Sequence, residues 1–396
     1  MPRILFLNHA AQIGGAEFGM FDVVTELRQH AHVLLFEDGP LRTLLTDAGV
    51  SVTVCDFGAL HDVRRDTAAP SAASVRSLLA AARDVRRMAA QYDMVYANSQ
   101  KAMIVGSVAE LGSRRPFVWH LHDILETPTF SRLNVWADVQ LARLNGARVI
   151  AVSRAAADAF VRAGGERRAV RVVYNGIDHA AIERHAASGA ALRRSLGLSD
   201  VPLVGCFSRL ARWKGQLTLL QAVAPLPGVH VLLAGGPLFG ELAYERELRD
   251  AVHSLRIEDR VHFLGQRSDV AALLHVVDVV VHPSIAPEPF ARTLIEAMMA
   301  GHAPVATRCG GVPELVMPEE TGFLFPPGDT HALTTLLERL LANPDELRQR
   351  SAHVRAYARK RFSRDAYVAG IVRQLQNTMG RPLHRSAPST PAAVVA

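Results

Sequence analysis

Residues His282–Leu315 read HPSIAPEPFARTLIEAMMAGHAPVATRCGGVPEL. A run of consecutive apolar residues, Val279–His282, leads into the stretch and ends at His282-Pro283-Ser284. A loop carrying Glu288 and Pro289 follows, then a helical pattern from about Ala291 to Met299, then a second apolar run, Ala303–Thr307. Strands apolar on successive residues are buried on both faces, as in a parallel sheet with helical crossovers. A helix that opens directly after such a strand exposes unpaired backbone N–H groups and attracts phosphate. Glu296 lies beyond the first turn of that helix, too deep to be only a cap. Its carboxylate suits either a ribose diol or an ordinary exposed helix face. Gly310-Gly311 allows close backbone approach to a ligand.

The same alternation extends outward in both directions. Downstream of residue 200 the apolar runs are Leu203–Phe207, Val229–Ala234, Val261–Leu264, Val279–His282, Ala303–Thr307 and Gly322–Phe325. Upstream they are Ile4–Leu7, His32–Phe36, Val52–Val54, Met94–Tyr96, Phe117–His120, Arg148–Val152 and Val170–Val173. Helical patterns separate them. The clearest is Ser74–Ala90, with Val75, Leu78, Leu79, Ala82, Val85 and Ala89 on one face. That face suits packing on the sheet, or alternatively a membrane surface. The series breaks after Asn175-Gly176-Ile177-Asp178. We therefore expect an α/β chain of two Rossmann-like, doubly wound domains facing across a cleft. Residues 1–178 form the first and 201–362 the second, with 179–200 as a linker. A C-terminal helix, 363–380, packs back on the first domain, and 381–396 is a disordered tail.

The chain's 396 residues suit two domains, and 49% apolar with 21% charged residues is a globular balance. No apolar run approaches the ~18 residues of a membrane span. The N-terminus reads as a buried strand and not as a secretory signal. Cys55, Cys206 and Cys309 are scattered, so a reducing cytosol is expected. The net charge is +6, yet residues 344–396 carry ten Lys/Arg and three Asp/Glu, leaving 34 and 35 elsewhere. This basic end is either a solvated helix face or a contact for anionic lipid or an acidic polymer. Nucleic-acid binding is not expected, because interleaved aromatics are missing.

Three further clusters bear on chemistry. Phe207-Ser208-Arg209-Leu210-Ala211-Arg212-Trp213-Lys214-Gly215 follows a strand and precedes a helix. Arg209 offers a forked pair of donors and Lys214 a point charge to a leaving diphosphate. Gly14-Gly15-Ala16-Glu17 opens a helix after the first strand, without the G-x-G-x-x-G fingerprint. Trp119-His120-Leu121-His122-Asp123 closes another strand. No third ligand stands at useful spacing, so the histidines suit sugar contact or a structural role better than a metal. There is no D-x-D sequence. Arg209, Lys214 and helix ends are expected in place of a divalent ion.

Taken together, these motifs resemble the family 4, or group 1, retaining glycosyltransferases of the GT-B fold, over nearly the whole chain from Gly14-Gly15 to Phe362. Glu288 and Glu296 match the family's E-x7-E motif. The resemblance implies that Glu296 binds the donor ribose and Glu288 lies beside the transferred sugar. Arg209 and Lys214 match the diphosphate-binding R…KG element. Phe290, Ala291, Arg292 and Thr293 match the segment whose amides meet sugar and phosphate. The helix that Gly14-Gly15 opens is expected to offer backbone N–H groups, Gly15's among them, to the donor's phosphate, and His122, preceding Asp123, matches the first-domain histidine at the donor sugar. Gly235-Gly236-Pro237 resembles a G-x-G-P loop. The chain has Pro289-Phe290-Ala291 where Gly-Phe-Gly is usual, which is expected to narrow the sugar pocket.

The resemblance implies transfer from a UDP-sugar or GDP-sugar to a glycan or lipid-linked acceptor, with retention, in cell-envelope or exopolysaccharide biosynthesis. No cofactor or metal is expected. The expected location is cytoplasmic, with peripheral contact at the inner face of the membrane. A nucleotide-sugar epimerase, a phosphorylase, or a catalytically silent scaffold of the same architecture are the alternatives.

Overall fold

The computed structural model describes residues 1–58, 72–127, 129–199, 201–237 and 241–386. The described residues divide into two units, Met1–Gly176 with residues 365–386, and Ile177–Arg364.

Unit 1 is built on seven strands: β1 (Ile4–Asn8), β2 (Ala31–Leu35), β3 (Ser51–Val54), β4 (Met94–Ala97), β5 (Phe117–Leu121), β6 (Arg148–Ala151) and β7 (Val170–Val172). They are all parallel, in the order β3-β2-β1-β4-β5-β6-β7. Alternate residues of a strand point to opposite faces, and here both faces are apolar. Leu5 and Leu7 join one core with Val95, Phe117 and Trp119. Ile4 and Phe6 join the other with Tyr96, Val118 and Ile150. The helix Arg364–Met379 covers this second face through Tyr367, Val368, Ile371, Val372 and Leu375.

Unit 2 carries β8 (Leu203–Phe207), β9 (His230–Ala234), β10 (Val261–Gly265), β11 (Val279–His282), β12 (Val305–Thr307) and β13 (Phe323–Phe325). They too are parallel, in the order β10-β9-β8-β11-β12-β13. Every apolar run read from the sequence is thus a strand. In each sheet the order reverses at one place, between β1 and β4 and between β8 and β11. Loops at the carboxyl ends of strands beside such a switch point make the usual ligand crevice of open α/β sheets.

Three expectations need correction. Residues 179–200 are not a free linker. Their helices His179–Glu183 and Gly189–Ser195 are tied to unit 2, where Arg193 forks onto Asp278 (2.9 and 3.0 Å). Planar, paired donors make this a strong contact despite partial exposure. The tail expected to be disordered from 381 instead docks as far as 386. Leu383 is buried in the unit 1 core, and Arg385 pairs with Glu26. Residues 387–396 lie outside the described residues. The predicted helix Ser74–Ala90 runs Ala72–Ala89, but only Ala81, Ala82, Val85 and Ala89 are fully buried. Val75 and Leu79, placed on its apolar face by periodicity, are exposed.

Candidate active site

In unit 2, the loops after β8 and β11 meet around Glu288. Lys214, at the end of the turn Arg212–Lys214, donates from Nζ to Glu288 Oε1 at 2.5 Å. His282, the last residue of β11, sets Nε2 2.5 Å from Glu288 Oε2. Ser284 donates from Oγ to the same oxygen at 2.8 Å, and Thr307 at the end of β12 donates to the Ser284 carbonyl at 2.7 Å. All five residues are buried. Burial works to raise the Glu288 carboxyl. His282 and Lys214 outweigh it and hold the group well below the usual carboxylate range. An ionised carboxylate is tolerated here because each oxygen has a charged or hydrogen-bonding partner.

Backbone geometry fixes this loop from both sides. Gly215 adopts φ +72, and a Cβ there would fall on the Pro283 carbonyl. Gly310 adopts φ +59 with its Cβ position against the Glu288 backbone, and Gly311 N–H donates to the Glu288 carbonyl at 2.7 Å. The glycine pair expected to approach a ligand therefore approaches Glu288 itself.

Arg209 and Lys214 converge on one indole. The Arg209 guanidinium lies 5.4 Å and the Lys214 ammonium 4.3 Å from the Trp213 ring centre. Arg209 also pairs with Glu241 at 3.0 Å. Each cation thus already has a carboxylate partner, Glu241 for Arg209 and Glu288 for Lys214, and the pair gathers two positive charges around one indole, an arrangement suited to a polyanion.

The helix Arg292–Ala300 starts at Ala291, whose backbone is extended (φ −90, ψ 90), with no side-chain cap. Its first N–H groups have no partner within the helix itself. Phe290 and Ala291 are buried, Phe290 packing edge-on to Phe362, while Arg292 and Thr293 are half-buried. Glu296 is only 2% exposed. Burial pushes its carboxyl up, with Arg292 offsetting part of the effect. Its Oε2 has no hydrogen-bond partner among the described residues. A carboxylate oxygen orphaned in the interior is costly unless a ligand completes it.

In unit 1 a polar chain runs beside the β1/β4 switch. Gly15 is the first residue of the helix Gly15–Glu26. Glu17 in its first turn accepts from Gly14 N–H (3.1 Å) and from Asn8 Nδ2 (3.3 Å). Asn98 Nδ2 donates to Asn8 Oδ1 (3.1 Å), and His122 Nε2 meets Asn98 Oδ1 (3.1 Å). His120 belongs to the core: it is fully buried, its Nδ1 lies 2.6 Å from the Tyr96 hydroxyl, and burial and then His122 hold it well below its usual range. The half-buried His122, just past β5, is the histidine at the strand exit.

Asp138, buried in the helix Arg132–Leu144, accepts from Gln100 Nε2. Burial raises its pKa to about 7, with Gln100 opposing and Asp123 adding to the shift. An unfolded Asp titrates near ~4, so stability is lost as pH climbs from ~4 through ~7. Asp138→Asn removes that loss and keeps an acceptor for Gln100. Its advantage in Tm over the wild type should be larger at about pH 8 than at about pH 5. Equal shifts at both pH values in thermal scans would refute a neutral Asp138.

Sequence reasoning did not single out His282, Ser284, Asn8 or Asn98. The available signal was a polar residue at or just past the carboxyl end of a strand flanking each switch point.

Among the described residues there is no group of three or more His, Cys, Asp or Glu that could hold a metal ion, and no helix long and apolar enough to cross a membrane. The cysteines are free.

Residues 190–361 match the family model for glycosyl transferases group 1, and residues 13–181 that for glycosyltransferase family 4. The crystal structure of HepE from Anabaena in complex with UDP-glucose is 37% identical with a TM-score of 0.84. The alignment covers 95% of this chain and 99% of that one. The D-inositol 3-phosphate glycosyltransferase of Saccharomonospora viridis is 35% identical over 207 residues, 49% of this chain and 47% of its own length. The lipopolysaccharide core biosynthesis glycosyltransferase LpsE of Rhizobium meliloti is 32% identical over 158 residues, 39% and 43% of the two chains. The chain thus spans about half the length of these curated relatives or less.

Proposed function

The chain belongs to the group 1 glycosyl transferases of family 4 and has their GT-B fold, and from that premise we propose that it transfers a sugar from a nucleotide diphosphate to a glycan or lipid-linked acceptor. The observation that carries this reading is the buried Glu296. It leaves one oxygen orphaned behind an uncapped helix N-terminus, in the unit where Lys214 and Arg209 flank Trp213. The carboxylate reads the ribose diol, and the helix amides and two cations take the diphosphate. HepE, solved with UDP and with UDP-glucose, favours a UDP-sugar here over the GDP-sugar that is the other donor in view.

Catalysis in this reading proceeds with retention. The acceptor attacks the face the diphosphate leaves, through an oxocarbenium-like state, and the departing phosphate takes the acceptor proton. Lys214 and Arg209 stabilise the charge developing on that phosphate. Glu288, with both oxygens engaged, positions a sugar hydroxyl and is poorly placed to be a nucleophile. In unit 1, His122 is assigned to a donor contact on the resemblance alone, and Gly15 on its place at a helix N-terminus. No metal or cofactor takes part. The product belongs to cell-envelope or exopolysaccharide assembly, and the enzyme works in the cytoplasm, in peripheral contact with the membrane carrying its acceptor.

The test is titration calorimetry with UDP, GDP and a panel of nucleotide sugars, followed by product analysis. Glu296→Ala should weaken nucleotide binding at least ~10-fold, or ~1.4 kcal/mol. A protein indifferent to every nucleotide would refute the reading. Phosphate-dependent turnover, or epimerised donor without acceptor, would assign the same site to another class.

A further inference from the structure

We propose that the face of unit 1 formed by the helices Arg132–Leu144 and Arg154–Arg162 docks on an anionic lipid bilayer. The inference gives a surface to the membrane contact proposed above and stands independently of the donor site.

The first helix exposes five residues: Arg132, Leu133, Trp136, Arg143 and Leu144. Leu133 is 46%, Trp136 59% and Leu144 73% exposed. A helix face turned to water carries mixed charges and few large apolar groups. Here every exposed side chain is an arginine or a large apolar residue, and the helix's one acid, Asp138, is buried. An indole and leucines among arginines suit the boundary between headgroups and acyl chains. The rings and aliphatic tips enter the boundary while guanidinium groups fork onto phosphates.

Two cavities flank the groove between the helices. One, about 400 Å³, is lined by Arg132, Trp136, Arg162 and Leu125 among others. The second, about 440 Å³, is lined by Arg143, Arg148, Arg168, Phe160 and Glu166 among others. The wider charge pattern agrees. Residues 132–171 hold eight Arg and three acids; apart from these and residues 344–396, the chain holds 26 basic and 32 acidic residues. A positive face on an otherwise acidic body is complementary to an anionic membrane, and each basic residue near the surface adds to the attraction.

The basic C-terminal stretch does not offer the same combination. Ion pairing does not set the two apart: in the helix Pro344–Phe362, Arg348 pairs with Asp345, Arg350 with Glu346 and Arg359 with Glu183, and in unit 1 Arg162 pairs with Glu126, Arg167 with Asp158 and Arg168 with Glu166; the apolar groups do. The helix exposes no large apolar side chain.

The full chain is to be sedimented with phosphatidylcholine vesicles, with and without phosphatidylglycerol. Binding should require phosphatidylglycerol and be released by high salt. Trp136→Ser with Leu144→Ser should lower partitioning about tenfold, as should Arg132→Glu with Arg143→Glu, while affinity for UDP stays unchanged. Arg348→Glu with Arg350→Glu should leave partitioning intact. Indifference to phosphatidylglycerol, wild-type binding by both unit 1 pairs, or loss only in the C-terminal pair would overturn the proposal. Vesicle binding by a protein that ignores nucleotides would leave the docking face standing and remove the transferase reading.

Discussion

Lys214→Ala is expected to lower kcat/KM for a nucleotide-sugar substrate at least ~10-fold, or ~1.4 kcal/mol of transition-state stabilisation, and also to destabilise unit 2. Both effects follow from the 2.5 Å contact with Glu288 in a buried setting. Without the ammonium, Glu288 Oε1 faces the interior without that donor, while Oε2 keeps His282 and Ser284. Breaking a buried pair costs ~3–5 kcal/mol when the stranded charge has nothing else. With two partners left, a loss of ~1–3 kcal/mol is the reasonable range. The catalytic loss has a different origin, because Lys214 must also meet the charge that develops as the diphosphate leaves.

A double-mutant cycle with Glu288→Gln separates the two origins. The stability cost of Lys214→Ala should shrink once Glu288 is neutral, because no carboxylate is then stranded. The loss in kcat/KM should persist. Steady-state kinetics and urea unfolding on the four proteins decide the matter. Wild-type kcat/KM in Lys214→Ala would remove Lys214 from the diphosphate site, whatever its part in stability.

The sheets were legible because parallel strands are buried on both faces and therefore spell themselves as consecutive apolar runs, as Val279–Val281 does. The carboxylates were legible because Glu288 and Glu296 lie within one β/α unit, close enough in sequence to be read as a set. His282 and Ser284 lie only 6 and 4 residues from Glu288, but other contacts of the two sites span far more of the chain. Lys214 is 74 residues from Glu288, Glu241 is 32 from Arg209, and Asn98 is 90 from Asn8. Only the folded sheet brings such pairs to one edge. The same distance hid the role of 179–200. Its short helices look like linker until Asp278, 85 residues after Arg193, is in place. Periodicity overstated the buried face of Ala72–Ala89 because it registers amphipathicity without showing where along the helix the sheet lies beneath it.

Gly215→Ala should destabilise the protein far more than Gly228→Ala, although both glycines have nearly the same left-handed backbone, φ +72 and φ +74. The conformational penalty of an L-residue in that region, ~1–2 kcal/mol, is common to both. Around Gly228 nothing lies within 4 Å of the added methyl, so that penalty is the whole cost. At Gly215 the methyl would fall on the Pro283 carbonyl, with the Pro283 carbonyl carbon at 2.9 Å and Ile285 Cγ2 at 3.2 Å. Pro283 is held in the chain that runs from β11 to Ser284, and Ile285 N–H donates to the Trp213 carbonyl at 2.8 Å. The clash therefore cannot be relieved by a side-chain rotation. It must push the Lys214 turn away from the Glu288 loop, for a total of at least ~3 kcal/mol. The displacement also separates Lys214 from Glu288, so nucleotide affinity should fall in Gly215→Ala and remain normal in Gly228→Ala. Chemical unfolding and UDP titration of the two variants make the comparison. Equal stabilities would mean that the two loops are not in the contact on which the donor site is built.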